Sequence, residues 1–310
     1  MKILVTGSSG QIGTNVSLAL MNRGDDVVGI DKRDNTWTDR IDTIRADLRQ
    51  SGPQQIVDGQ SFDLVVHLAA NAKVHELVEH PQRAMDNITV LFNVLEYCRL
   101  SKLPIVFSSS REVYGDIHRH VTHEGEADFV VAESPYSASK IAGEALIYSY
   151  AQCYDLPFLV FRFSNVYGRY DNDLERMERV IPLFVDRIGR GEPIIVYGKE
   201  KVLDFTYIDD CVTGVVAGID ALAARKITRE TINLAAGEGN SLVEVVDVIS
   251  ATLDKEAKVT YHPSRVGEVT RYVADIGKAR SLLGYNPTTR LGEGLAKAVK
   301  WSREYDAVNS

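Results

Sequence analysis

Short runs of apolar residues alternate with stretches of helical period along the first half of the chain. Lys2-Ile3-Leu4-Val5-Thr6 is one such run, ending at Gly7. Val16, Ala19 and Leu20 then recur at helical spacing as far as Arg23, and Gly24 is placed to stop that helix. Asp26-Val27-Val28-Gly29-Ile30 is the next run, ending at Asp31. Ile44-Arg45-Ala46 before Asp47 predicts a third strand, and Leu64-Val65-Val66-His67-Leu68 a fourth. A helix is predicted from about Pro81 to Leu100, then a strand through Ile105-Val106-Phe107-Ser108. Another helix runs from Tyr136 to about Tyr154, and a strand from Phe158 to Phe163. Strands that are apolar throughout are covered on both faces, so the pattern predicts an α/β fold with a parallel sheet between helices.

After Asn165 the rhythm loosens. Tyr170 to Arg179 is charged and carries no strand signal, Val180 to Gly189 reads as a helix, and Ile194–Tyr197 and Phe205–Ile208 read as strands. Cys211 to Ala224 is the most apolar segment; Asp220 breaks it, it is too short to span a bilayer, and it reads as a buried helix. From Ser241 onward two amphipathic helical patterns flank the stretch Pro263 to Tyr272. These pieces predict a smaller C-terminal α/β lobe interwoven with the first domain. Residues 1–165 plus about 203–233 would form one part, and about 166–202 plus 234–310 the other. No internal repeat or low-complexity segment is visible.

Composition narrows the function. The 310 residues exceed what one small core needs. A net charge of −8 argues against a nucleic-acid footprint and against an anionic membrane surface. Cys98, Cys153 and Cys211 are few, odd in number and far apart, which fits reduced thiols in the cytoplasm, and no metal-ligand spacing appears. Met1-Lys2 leads directly into a strand-like run without a signal peptide.

The candidate chemistry begins at Gly7-Ser8-Ser9-Gly10-Gln11-Ile12-Gly13, between the first strand and the first helix. Its G-x-x-G-x-x-G spacing is one residue wider than the dinucleotide fingerprint, yet the physics is the same. One glycine permits the turn, one lets a pyrophosphate approach the backbone, and one lets helix pack on strand. The phosphates would meet the unpaired N–H groups and dipole of the helix N-terminus. This predicts a Rossmann-type, doubly wound sheet. Asp31 is placed to bind a ribose diol and repel a 2′-phosphate, favouring NAD over NADP, although Lys32 and Arg33 beside it oppose that preference. Asp47 could meet an adenine amino group or be a loop aspartate. His67, inside an apolar run, reads as a core histidine.

Ser134-Pro135-Tyr136-Ser137-Ala138-Ser139-Lys140 is the second centre. Tyr136 and Lys140 are four apart, hence on one helical face, with Ser134 as cap and Pro135 in the first turn. A nearby ammonium would favour the phenolate, so Lys140 is expected to lower the Tyr136 pKa and let it move protons near neutral pH. His118, His120 and His123 cluster in the loop before this helix and read as solvated, not as a metal site.

Further motifs follow in order: His67-Leu68-Ala69-Ala70, Phe107-Ser108-Ser109-Ser110, Val113-Tyr114-Gly115, Asn165-Val166-Tyr167-Gly168, Asp204-Phe205-Thr206-Tyr207-Ile208-Asp209-Asp210 and Asn233-Leu234-Ala235-Ala236-Gly237. With the glycine turn and Tyr136–Lys140, this set resembles the extended short-chain dehydrogenases/reductases. Within them it is similar to the sugar-nucleotide epimerase/dehydratase family, most of all to UDP-sugar 4-epimerases. The resemblance covers nearly the whole chain. It implies Tyr136 as acid/base, Lys140 as its partner and ligand of the nicotinamide ribose, and Ser110 as the catalytic hydroxyl. It implies an NAD site lined by Gly7, Gly10, Gln11, Ile12, Gly13, Asp31, Lys32, Asp47, Leu48, Leu68, Ala69, Ala70, Asn87 and Ser108, together with Tyr136 and Lys140. Ser110, Tyr136, Asn165, Tyr197 and Arg265 would contact the sugar nucleotide, Arg265 by gripping the diphosphate, unless it is a solvated surface arginine. A homodimer through the helices Pro81–Leu100 and Tyr136–Tyr154 is also implied.

The chain departs from the family at three places. Leu203 stands where many relatives have a phosphate-binding Arg, leaving Arg169 or Lys201 as substitutes. Ser164 precedes Asn165 where an aromatic is common. Arg111-Glu112 follows Ser110, with Glu112 at the position of the glutamate of 4,6-dehydratases and UDP-glucuronate decarboxylases. The expected activity is NAD-dependent epimerisation at C4 of a UDP-sugar, in glucose/galactose, N-acetyl or uronate form, through a 4-keto intermediate. The alternative is a dehydratase or decarboxylase using Glu112, which otherwise pairs with Arg111 or a backbone amide. A non-catalytic NAD sensor ranks below both.

Overall fold

The structure is a computed structural model describing residues 1–114, 132–174 and 179–309. The His118, His120 and His123 cluster and residues 175–178 of the charged stretch lie outside the described residues. The chain begins β1 (Lys2–Thr6), α1 (Gln11–Asn22), β2 (Asp26–Asp31), β3 (Asp42–Arg45), α2 (Pro53–Ile56), β4 (Leu64–His67), α3 (Val74–Glu79) and α4 (Gln82–Ser101). It continues through β5 (Ile105–Ser110), a 3-10 turn Arg111–Tyr114, α5 (Pro135–Tyr154), β6 (Phe158–Phe163), β7 (Asn165–Tyr167), α6 (Val180–Arg190), β8 (Ile194–Tyr197) and β9 (Val202–Tyr207). It ends with α7 (Ile208–Ala223), β10 (Glu230–Leu234), β11 (Gly239–Ser241), α8 (Leu242–Leu253), β12 (Val259–His262), β13 (Arg271–Tyr272), α9 (Gly277–Leu283) and α10 (Leu291–Asn309).

Seven strands form one parallel sheet in the order β10-β6-β5-β4-β1-β2-β3. Alternate residues of the inner strands enter different cores. Ile3 and Val5 of β1 pack with Val16 and Leu20 of α1, while Leu4 packs with the cluster holding Leu91 and Leu95 of α4. On β6, Leu159 and Phe161 join the first cluster and Phe158 and Val160 the second. Both faces are therefore buried, which is why these strands read as unbroken apolar runs.

The order reverses between β1 and β4, and at such a switch point a crevice opens beyond the strands' C-terminal ends. The smaller sheet places β9 between β11 and β13, with β7 also paired to β9, and β12 pairs β8. β9 thus belongs by pairing to the smaller sheet. α7 starts at its end, packs on α1, and returns the chain to β10 of the large sheet. Asp204 secures the junction: its buried carboxylate accepts from the N–H groups of Ala236 and Gly237, each at 2.9 Å.

The structure moves some predicted boundaries. Ile208 opens α7 instead of ending a strand, and β3 lies at Asp42–Arg45. Beyond the Pro263–Tyr272 stretch there are two helices, α9 and α10. Gly24 takes φ +96° just past the α1 C-cap, as its stop role requires. Among the described residues no helix is long and apolar enough to cross a membrane, and no His, Cys, Asp and Glu group is placed to hold a metal ion.

Candidate active site

A cleft of about 520 Å³ runs along the C-terminal edge of the large sheet and on between the two sheets. It brings together every site residue singled out from the sequence. Gly7, Gly10, Gln11, Ile12 and Gly13 line one end, and Tyr197 and Arg265 the other. Between them lie Asp31, Lys32, Asp47, Leu48, Leu68, Ala69, Ala70, Asn87, Ser108, Ser110, Glu112, Tyr136, Lys140 and Asn165.

The glycine turn is as tight as its residues allow. Gly7 takes φ +76°, and a Cβ there would lie 2.7 Å from the Ala69 nitrogen. A Cβ on Gly13 would lie 2.1 Å from the Gly7 carbonyl oxygen. α1 begins with Gly10 as N-cap and no side-chain cap, so its first N–H groups are open toward the cleft. Gln11 keeps a buried Nε2 without a partner. An uncapped helix end behind bare glycine backbone fits a pyrophosphate.

Farther along this wall, Asp31 closes β2 with its carboxylate oriented: Oδ2 accepts from Ser9 N–H at 3.1 Å, and Oδ1 from Arg33 N–H at 3.0 Å. Lys32 reaches Asn71 at 3.3 Å, and burial lowers its pKa. Asp47 is clamped by Arg49, which holds it below the usual carboxylate range and also bridges to Asp86 at 3.0 Å. Asn87 accepts from Asn71 N–H at 2.7 Å and donates to Ser139 at 3.2 Å, tying the chain after β4 to α5. His67 is a core histidine. It contacts Thr6 Oγ1 at 2.6 Å, stacks on Phe107 at 6.0 Å, and burial pushes its pKa down to about 3. These residues suit a dinucleotide: a pyrophosphate seat, an oriented carboxylate at the end of β2, and a polar wall beyond β4.

The reactive face is built by α5 and the end of β5. Ser134 and Ser137 form a capping box and Pro135 occupies the first turn, which fixes where Tyr136 and Lys140 point. Tyr136 is 8% exposed and faces Ser110, whose hydroxyl opposes the effect of burial on it. Ser110 Oγ accepts from Glu112 N–H at 3.2 Å. Lys140 Nζ donates to the Ser108 carbonyl at 2.7 Å and lies 5.8 Å from the Tyr136 ring centroid.

Here the electrostatics differ from the expectation that Lys140 would depress Tyr136. Burial dominates and pushes the Tyr136 hydroxyl up to about 12, opposed first by the Ser110 hydroxyl. Burial also pushes Lys140 down to about 8, against the pull of Glu144. Beneath them, Glu144 binds Ser109 at 2.5 Å and Arg162 at 2.7 Å in a buried network.

The rest of the cleft carries charges that sequence reasoning only partly found. Arg111 pairs with Glu112 at 3.1 Å, and burial pushes the Glu112 carboxyl up against Arg111's pull. Lys201 pairs with Glu268 at 2.6 Å and lines the cleft near Leu203. Arg169, the other proposed substitute for the missing arginine, pairs with Asp209 at 2.6 Å. Arg265 stacks over Tyr197 at 4.1 Å while remaining exposed at the rim of the cleft. Asn165 donates to the Asp204 carbonyl at 3.1 Å. Arg179, bound to Gln11 and Asp171, and Trp37, which meets Tyr170, were missed. Only tertiary contact assembles them, and no local motif marks either.

The model of the NAD dependent epimerase/dehydratase family matches residues 3–235. The chain is 34% identical to UDP-glucuronate 4-epimerase 1 of Arabidopsis thaliana, over 100% of this chain and 78% of that protein. It is similar to the UDP-glucose 4-epimerase of Thermotoga maritima solved with UDP-glucose, with a TM-score of 0.90 and 28% identity over 98% of this chain and 99% of that one. It is also similar to the UDP-glucuronic acid 4-epimerase of Bacillus cereus solved with UDP-glucuronic acid and NAD, with a TM-score of 0.88 and 29% identity over 98% and 100%.

Proposed function

Because the chain belongs to the NAD-dependent epimerase/dehydratase family, we propose that it interconverts a UDP-sugar and its C4 epimer through a 4-keto intermediate. One observation carries the reading: Tyr136, Ser110 and Lys140 share one cleft with the glycine turn. When bound, NAD supplies a hydride acceptor that later becomes the donor. Gly7 to Gly13 hold its pyrophosphate and Asp31 its ribose.

The chain's own work is positional and protonic. Arg265, braced by Tyr197, and Asn165 hold the sugar nucleotide's diphosphate, leaving the ring free to turn. Leu203 offers no phosphate contact, and Lys201, which lines the cleft, is paired with Glu268. Tyr136 takes the C4 hydroxyl proton with Ser110 as relay, and returns it after the ring has turned. Lys140, on α5, is held against the end of β5 by the Ser108 carbonyl and lines the cleft beside Tyr136.

In this reading residues 1–165 with about 203–233 form the NAD-binding part, with β9 paired into the smaller sheet, and about 166–202 with 234–310 form the sugar-nucleotide lobe. We also propose a cytoplasmic homodimer. The free thiols of Cys98, Cys153 and Cys211 support the compartment. Exposed Met85 and Phe92 on α4 and Tyr148 on α5 support pairing through those helices.

The test incubates purified protein with UDP-glucose, UDP-N-acetylglucosamine and UDP-glucuronate, and reads products by NMR. A C4 epimer is expected. A 4-keto-6-deoxy sugar, or a pentose with released CO₂, overturns the reading in favour of a lyase using Glu112. Tyr136→Phe should abolish turnover while NAD stays bound.

A further inference from the structure

Resting on the epimerase reading, we propose that the buried Arg111–Glu112 pair is a charge filter for the sugar's C5 substituent. It admits a neutral hydroxymethyl group and turns away a carboxylate. The two residues follow Ser110 directly and line the cleft with it and Tyr136. The Glu112 N–H holds the Ser110 oxygen at 3.2 Å, so the pair is fixed relative to the reacting hydroxyl. C5 is bonded to C4, so whatever C5 carries lies next to the oxygen that Ser110 and Tyr136 handle.

Arg111 is not a free cation for a uronate. Its Nη2 lies 3.1 Å from Glu112 Oε1, and its guanidinium lies over the Tyr272 ring at 5.7 Å. The pair is net neutral, and each member keeps one buried polar atom without a partner, Arg111 Nη1 and Glu112 Oε2. A donor and an acceptor thus remain. Turned into the cleft, the two can serve a hydroxyl, which accepts from the arginine and donates to the carboxylate. A carboxylate can only accept, and it meets Glu112 as a like charge in a poorly solvated place. The Lys201–Glu268 pair at 2.6 Å adds a second carboxylate to this wall and no unpaired cation. A relative named UDP-glucuronate 4-epimerase shares 34% of the sequence, so overall identity and local charge point in opposite directions.

The experiment measures kcat/KM for UDP-glucose and UDP-glucuronate with the wild type and Glu112→Gln. The wild type is expected to favour UDP-glucose by ~10-fold or more. Glu112→Gln removes the repelling charge and uncovers Arg111, moving the ratio toward UDP-glucuronate by ~10-fold or more. A wild type that turns over UDP-glucuronate as well as UDP-glucose overturns the filter, as does an unchanged ratio in the variant. If the variant does not fold, the wild-type ratio alone decides. If no sugar nucleotide is epimerised, the epimerase reading fails separately. Calorimetric affinities for the two ligands then test the filter, and equal affinities overturn it.

Discussion

Lys140 Nζ donates to the Ser108 carbonyl oxygen at 2.7 Å, so the end of β5, and not Tyr136, holds the cation of the reactive face. That arrangement sets the sign of a pH effect on stability. Burial pushes Lys140 from 10.5 down to about 8. Between those values the unfolded chain binds a proton that the folded chain does not, so this group's contribution rises with pH from about 8 to about 10.5. The ceiling is about 3 kcal/mol. Urea denaturation of wild type and Lys140→Met across this range should show the wild type gaining on the variant. Parallel curves would show that Lys140 is not buried as a shifted amine.

Gly13→Ala should cost the cofactor site more than the fold. The added Cβ would lie 2.1 Å from the Gly7 carbonyl oxygen, so α1 must shift away from the turn. The open N–H groups at its N-terminus shift with it. NAD affinity should fall by ~100-fold, in line with roughly 3 kcal/mol of lost anion contact and strain. Calorimetry checks this, and unchanged affinity would place the pyrophosphate elsewhere.

The buried Glu144–Arg162 pair lies directly under the reactive face, with Ser109 on one side and the Tyr114 ring 4.8 Å from the guanidinium on the other. Arg162→Met alone leaves a buried carboxylate without its cation and should cost about 3–5 kcal/mol in urea denaturation. Adding Glu144→Leu should restore much of that loss, because the penalty belongs to the orphaned charge. A double variant no more stable than the single would show that the pair supports β5 and β6 in some other way.

How legible the site was depended on whether its signals were local. The glycine turn, Asp31 and Tyr136–Lys140 each combine backbone demands with spacing inside one strand–turn–helix unit, and all lie in the cleft. The doubly wound sheet was legible because strands buried on both faces have an unbroken apolar sequence. What resisted reading was tertiary. Lys201 meets Glu268 across 67 residues, and Trp37 meets Tyr170, Trp301 and Tyr305 from distant parts of the chain. The high Tyr136 pKa was also invisible, since residue type and spacing do not report burial. The Tyr207–Ile208 boundary was missed because a β-branched residue extends a strand pattern as readily as it opens a helix.

Asp31 decides the cofactor's ribose, and its neighbours decide what happens when it is lost. Asp31 is 7% exposed and its carboxylate is held by two backbone N–H groups, so it cannot swing away from a 2′-phosphate. Facing a phosphate, it imposes a like-charge contact worth several kcal/mol, and NAD should bind ~100-fold more tightly than NADP. Lys32 and Arg33 also line the cleft, and the Lys32 ammonium reaches Asn71 at 3.3 Å. Asp31→Ala therefore exchanges a repelling wall for an attracting one and should narrow the preference below ~10-fold, mostly by improving NADP. Calorimetric affinities for both dinucleotides, in wild type and variant, measure this directly. Equal wild-type affinities would mean that the two cations already outweigh the carboxylate, and that the end of β2 does not select the cofactor.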